Sequence, residues 1–257
     1  MCRCIRAVAP LKAEPREEAE QISQALFGEV GAVLEVRERW LKLRLRADGY
    51  EGWVPLAAFA LKAEHELIAP THVVSVPRAL CFPRADIKAA PARPLFMGSP
   101  LVARAQQGEF IALADGGFVH KRHARAVDTP ALADAATLAE RLLHAPYLWG
   151  GRTVAGIDCS GLVQLALRMA GYEDIPRDSG DQARSVGQEL PLTWLEQPAK
   201  LKRGDLVFWK GHVAMLLDAS RIIHANATHM MVAIEPLKEA LARIARDGSQ
   251  PLALRRP

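Results

Sequence analysis

Apolar residues recur with two different periods along the chain, and the change of period divides it. Over the first ~70 residues they alternate in short runs, as in Ala32–Val36 and Trp40–Leu45, with Asp48-Gly49 between such runs and Gly52–Leu56 after them. Alternation bounded by an Asp-Gly pair predicts half-buried strands joined by a hairpin. The stretch from Glu14 to Phe27 is charged and then mixed, and predicts a loop with one helical turn. From Thr71 a second series begins with Val73–Val76 and Ala79–Phe82, then Leu101–Ala103, Glu109–Leu113, the turn Asp115-Gly-Gly and Phe118-Val119. Asp48-Gly-Tyr-Glu-Gly-Trp-Val54 and Asp115-Gly-Gly-Phe-Val119 read as one β module used twice. Pro77, Pro83, Pro91, Pro94 and Pro100 make the early part of the second copy rich in loops and edge strands.

The period lengthens after Thr129-Pro130. Ala131–Leu143 predicts a helix, and Tyr147–Gly156, with aromatics and glycines, predicts a tight loop. Leu162, Val163, Ala166, Met169 and Ala170 then recur at helical spacing until Gly171. Glu173–Leu195 is polar and irregular. A turn at Lys202–Asp205 leads into strands Leu206–Trp209, His212–Leu217 and Arg221–Ala225, and the tail offers a short helix and a strand at Leu252–Leu254. The domains expected are 1–70 and 71–128, both all-β, and 129–257, an α+β domain. A length of 257 residues allows for several domains.

Composition narrows the setting. Half of the residues are apolar and 24% are charged, which is ordinary globular usage. Cys2, Cys4, Cys81 and Cys159 form no disulfide framework, as expected of a reducing compartment. Ile5–Leu11 is broken by Arg6 and Pro10, too interrupted for a secretory signal, and no run approaches the ~20 apolar residues of a membrane helix. A cytoplasmic protein without membrane contact is expected. The net charge of +4 is dispersed. Its densest cluster, His120–His123, lacks aromatic interleaving and reads as a solvated turn, not a nucleic-acid surface.

The chemistry gathers at Asp158-Cys-Ser-Gly-Leu162. Asp158 is placed as an N-cap, so Cys159 falls in the first helical turn, where free amides and the helix dipole favour a thiolate. A buried structural cysteine is the alternative, and the polar neighbours speak against it. A nucleophile needs a base and a group to orient that base. If Asp218-Ala-Ser220 is a three-residue hairpin loop, Leu217 pairs with Arg221, and His212 and His224 share one face; a two-residue loop would separate them. Zinc held by Cys159, His212 and His224 is the rival reading, without a supporting ligand spacing. No metal and no cofactor are expected.

Tyr147-Leu-Trp-Gly-Gly, Asp158-Cys-Ser-Gly-Leu162, Arg203-Gly-Asp205, Gly211-His-Val213 and Ile223-His-Ala225 occur in the order found in the NlpC family of papain-like cysteine peptidases, which residues 130–235 resemble. The two preceding modules are similar to the bacterial SH3-like domains found N-terminal to some of these enzymes. The resemblance implies an α+β papain-like catalytic domain preceded by two small all-β SH3-like barrels. Within the family it is γ-D-glutamyl-L-diamino acid endopeptidases that the chain is most like. The implied roles are nucleophile for Cys159, base for His212 and orienting group for His224. The resemblance also implies a substrate pocket of Tyr147, Asp158, Ser160, Asp178 and Ser179, with Tyr50 and Glu29 from the first module. Asp178 would hold the free amine of an N-terminal L-alanine, while Trp149 packs beneath the loop. The turn Asp218–Ser220 departs from the family's glycine-rich hairpin tip. The implied substrates are murein peptides such as L-Ala-γ-D-Glu-diaminopimelate or its lysine counterpart, cleaved by a monomer in peptidoglycan recycling. An amidase or acyltransferase on another substrate, or an inactive peptide-binding module, are the alternatives.

Overall fold

The computed structural model describes residues 1–131 and 133–257. Among them the chain forms two compact units, Met1–Pro130 and Ala131–Pro257.

In the first unit, a seven-stranded sheet runs in the order Gln21–Leu26, Val8–Lys12, Glu51–Pro55, Trp40–Leu45, Val30–Arg37, Cys2–Cys4, Phe59–Leu61. The alternation in Trp40–Leu45 does what its pattern demands. Leu41, Leu43 and Leu45 enter the core beside Leu11 and Val54. Lys42 and Arg44, on the other face, meet Glu51 of the neighbouring strand. The loop expected within Glu14–Phe27 is in part a strand, Gln21–Leu26, paired with Val8–Lys12. Its hydrophobic signal is hidden because the buried positions include Ser23 and Gln24.

From His72 the same elements return in the same order. Arg93–Phe96, Arg78–Phe82, Phe118–His120, Phe110–Leu113 and Ala103–Gln107 form a five-stranded sheet. Pro100–Leu101, His72–Val74 and Ala124–Ala126 form a second, three-stranded one. The 3₁₀ turn Lys121–His123 repeats Leu56–Ala58 of the first module. Pro94 sits on the edge strand of its sheet, where a missing N–H costs least. Phe27 of the first module packs into the core of the second, among Val74, Leu95 and Leu101. The chain turns there through Gly28 at φ +82°, where a Cβ would lie 2.1 Å from the Pro100 carbonyl oxygen.

The second unit contains four α-helices among its described residues: α1 (Ala135–Glu140), α2 (Cys159–Met169), α3 (Ser179–Ser185) and α4 (Leu237–Arg246). Helix α1 is shorter than the Ala131–Leu143 expected from pattern; Leu132, within that range, lies outside the described residues. Asp134 sets the start by accepting the Thr137 amide at 2.9 Å, and His144, at φ +67°, lies beyond the end. A six-stranded antiparallel sheet runs Gln188–Leu190, Ala253–Arg256, Leu206–Trp209, His212–Leu216, Arg221–Asn226, Met231–Pro236. Ala214, Leu216 and Ile222 pack with Leu237 and Ala240 of α4. Alternation places His212 and His224 on that same face. Helix α2, buried over most of its length, packs against the strands that carry both histidines.

Candidate active site

The start of α2 is held by a closed polar network. Asp158 caps the helix through Oδ1, which accepts the Gly161 amide at 2.7 Å. Its Oδ2 accepts the Gly150 amide at 2.9 Å. Arg177 donates to both oxygens, at 3.0 and 2.6 Å, and to Ser160 Oγ at 2.9 Å. With side-chain exposures of 1% and 10%, Arg177 and Asp158 form a buried pair whose hydrogen bonds are filled from within the protein. Gln182 adds a bond from Nε2 to the Ser160 carbonyl at 3.0 Å. Only glycine fits at 161, since a Cβ there would meet the Gly151 carbonyl oxygen at 2.4 Å. Loop, helix start and Arg177 therefore lock together, and Cys159 is fixed by them.

Cys159 retains 7% of its exposure, whereas Cys2, Cys4 and Cys81 have none. Its sulfur lies 4.0 Å from the Gly211 carbonyl oxygen, with the Val213 and Ser160 amides also facing it. Burial, and next the Asp158 carboxylate, push the thiol up to about 11. The helix-start position alone predicts the opposite shift. The resting group is a thiol because dehydration and a neighbouring negative charge outweigh the amides and dipole. Burial, followed by the charges of Cys159 and Asp158, likewise takes Tyr147 up to about 12, so its phenol stays protonated beside the sulfur.

The histidines stand one strand apart. Leu217 N donates to the Arg221 carbonyl at 2.8 Å, and Met215 and Leu216 pair with Ile223 and Ile222, which is the three-residue-loop register. Asp218 supplies the turn that a glycine tip would otherwise make, accepting the amides of Ser220 and Arg221 at 2.8 and 2.9 Å. His212 Nε2 and His224 Nδ1 are 2.8 Å apart. His224 Nε2 in turn lies 2.7 Å from Glu235 Oε1, and Arg243 of α4 pairs with the same oxygen. Burial, then His224, drives His212 down to about 3; burial also lowers His224, against the pull of Glu235. Burial alone would raise Glu235, but the His224 N–H and Arg243 hold it below its ordinary value. At neutral pH the set is thiol, two neutral imidazoles and a carboxylate.

Residues 144–244 match the NlpC/P60 family, and residues 11–59 match the bacterial dipeptidyl-peptidase Sh3 domain. The second unit is an NlpC/P60 domain. It is therefore a hydrolase of the cysteine-peptidase kind. The chain is 27% identical over 246 residues to a gamma-D-glutamyl-L-lysine dipeptidyl-peptidase of Bacillus cereus, across 84% of this chain and 70% of that one. Identity to the enzyme of the same name from Bacillus subtilis is 28%, across 85% and 77%. The crystal structure of an NlpC/P60 family protein from Bacillus cereus shares the fold at a TM-score of 0.82 and 22% identity, covering 99% of this chain and 98% of that one.

In the NlpC/P60 domain the residues that the resemblance assigns to the pocket separate into groups. Tyr147 is half-buried and electrostatically coupled to Cys159. Asp158 and Ser160 are buried, with side chains engaged by Arg177, so their observed work is to build the seat of the nucleophile. Asp178 is exposed at the N-cap position of α3, and its carbonyl accepts the amides of Asp181 and Gln182; Ser179 follows, half-buried. Glu29 and Tyr50 belong to the first unit. There Glu29 is buried and accepts the Leu26 amide at 2.8 Å, and Tyr50 packs on the first core. Trp149 is 56% exposed and not packed beneath the loop. It occupies a corner of the turn Leu148–Gly151, closed by the Gly151 amide on the Leu148 carbonyl, and that corner points outward.

Arg177, Gln182, Glu235 and Arg243 are site residues that sequence reasoning missed. Glu235 lies on the strand Met231–Pro236, which the sequence pattern does not predict, and it pairs with Ile222, two residues from His224. Glu235, His224 and His229 bring ligand atoms within 4.8 Å of one another, a different trio from the Cys159, His212 and His224 of the zinc reading. The Arg243 guanidinium already occupies that carboxylate, which opposes a metal cation there.

Proposed function

We propose that this chain is a cysteine endopeptidase that hydrolyses the bond between γ-D-glutamate and the diamino acid of cell-wall peptides bearing a free N-terminal L-alanine, in cytoplasmic peptidoglycan recycling. The observation that carries the reading is the Cys159 thiol lying against the strand of His212, with His212 tied through His224 to Glu235. His212 takes the thiol proton as the sulfur attacks the γ-glutamyl carbonyl, and returns it to the departing amine of the diamino acid. Water then attacks the thioester, with His212 again as base, and frees the glutamyl product. The Cys159 amide, at the start of α2, is suited to stabilise the oxyanion. Both halves of the machinery are intact, which argues against a binding module that has lost catalysis. The two Bacillus relatives are γ-D-glutamyl-L-lysine dipeptidyl-peptidases, and counting two residues from an amino terminus requires a group that holds that terminus. Asp178, exposed where α3 begins, is the carboxylate we assign to it. Residues 71–128 are read as a second SH3-like barrel, on the strength of the repeated strand order.

The test compares L-Ala-γ-D-Glu-diaminopimelate, its lysine counterpart and their N-acetylated forms. An ammonium–carboxylate contact covered by bound substrate is worth roughly 1.5–3 kcal/mol, so the free amine should be favoured about tenfold or more. D178N should erase most of that preference. Equal rates on free and acetylated peptides would remove the assignment, and no cleavage of any of them would remove the proposed substrate class.

A further inference from the structure

The two imidazoles form one directed chain of hydrogen bonds, and the direction has to be set somewhere. A neutral imidazole carries one N–H and one lone pair. Across the 2.8 Å contact, either His212 Nε2 donates to His224 Nδ1 or the reverse. The two choices have opposite consequences. If His212 carries its proton on Nε2, its Nδ1 is bare and can receive the thiol proton. If His224 donates instead, His212 carries its proton on Nδ1 and has no base to offer there. Neither ring can decide by itself.

Glu235 can decide. An ionised carboxylate only accepts, so a contact of 2.7 Å with His224 Nε2 places the His224 proton on Nε2. His224 must then accept at Nδ1, and His212 must donate from Nε2. Arg243 holds the same carboxylate oxygen and donates from Nη1 to Thr228 Oγ1 at 3.0 Å. His229, from the loop after His224, is the further titratable neighbour of this group.

We infer that Glu235 is a positioning residue that fixes the tautomers of both His224 and His212, two links from the sulfur, with Arg243 as its anchor. The inference rests on Cys159 and His212 acting as nucleophile and base. It adds a fourth residue to Cys159, His212 and His224, one that acts through His224 and not on the substrate.

The test uses the full chain with ¹⁵N-labelled histidine and two readouts that need no peptide. At mildly alkaline pH the imidazole ¹⁵N shifts of the native protein should show protonated Nε2 and bare Nδ1 on both His212 and His224. E235Q retains an accepting oxygen, so both tautomers should persist and alkylation of Cys159 by iodoacetamide should stay within about threefold of native. E235L removes the acceptor. His212 should then populate the Nδ1-protonated form, with alkylation and kcat falling on the order of a hundredfold at little change in KM. A native His212 protonated on Nδ1 would overturn the inference, as would an E235L protein with native tautomers and native alkylation. Should E235L not fold, the native spectrum still decides. A native enzyme that cleaves no γ-glutamyl peptide, while showing the expected tautomers, would refute the proposed substrate and leave the inference standing.

Discussion

Two carboxylate–arginine pairs flank the reacting atoms, and they are built differently. Asp158 and Arg177, beside the nucleophile, are the more deeply buried, and Asp158 also receives two backbone amides. Glu235 and Arg243, beside the histidines, leave Arg243 at 23% side-chain exposure, and the other donor to Glu235 is an imidazole. The first pair is a structural fastener whose removal strands a buried charge. The second faces a titratable ring, so its removal should be felt in protonation before it is felt in stability. Similar chemistry serves architecture on one side and proton placement on the other.

The largest effects come from removing the atoms between the pairs. C159A should abolish hydrolysis, and H212A should lower kcat at least about a thousandfold, with the fold retained by circular dichroism. A C159A protein with measurable turnover would move the nucleophile elsewhere. Next comes the contrast itself. R177M leaves the buried Asp158 carboxylate without its partner and should cost roughly 3–5 kcal/mol in denaturant unfolding. R243M should cost less, about 1–3 kcal/mol, because Arg243 is the more exposed arginine and the Glu235 carboxylate keeps its bond to His224. Equal losses would erase the distinction.

A smaller effect follows from His212. Its folded value, about 3, lies below the ordinary 6.5, so keeping the ring neutral adds stability that is fully present above about pH 6.5 and is lost as pH falls towards 3. Replacing it with a side chain that does not titrate, H212Q, should flatten the acid limb of unfolding free energy against pH; an unchanged limb would show that His212 is not the group responsible. The smallest effect expected is none at all. A zinc chelator should leave hydrolysis unaltered, and activity lost on chelation and restored by zinc would instead favour a metal at His224, His229 and Glu235.

The helix of Cys159 and the hairpin of the two histidines were legible because both announce themselves locally, one by a cap and a helical period, the other by alternating strands around a short turn. Features that depend on distant partners were not. Gln21–Leu26 buries Ser23 and Gln24, so its pattern does not look like a strand. Met231–Pro236 buries Val232 and Ala233 side by side, so it lacks the alternation that marks a strand, and the strand that carries Glu235 is not predicted. The raised thiol of Cys159 departs from the expected thiolate for a related reason: a sequence reveals the helix dipole but not how much water the fold removes around the sulfur. Trp149 shows the limit on loops, where a composition that predicts a turn does not say which side chain its corner expels.

The strand Ala253–Arg256 lies inside the catalytic sheet, between Gln188–Leu190 and Leu206–Trp209. Synthesis runs from the amino end, so the two units mature on different clocks. The last strand of the first unit is complete at Ala126. The sheet of the peptidase keeps an open slot until the ribosome has added residues up to Arg256. At roughly 5–20 residues per second that delay is about 6–26 s. For that interval the nascent chain carries a finished β unit and an unfinished enzyme, whose unpaired strand edges are open to chaperones and to mispairing.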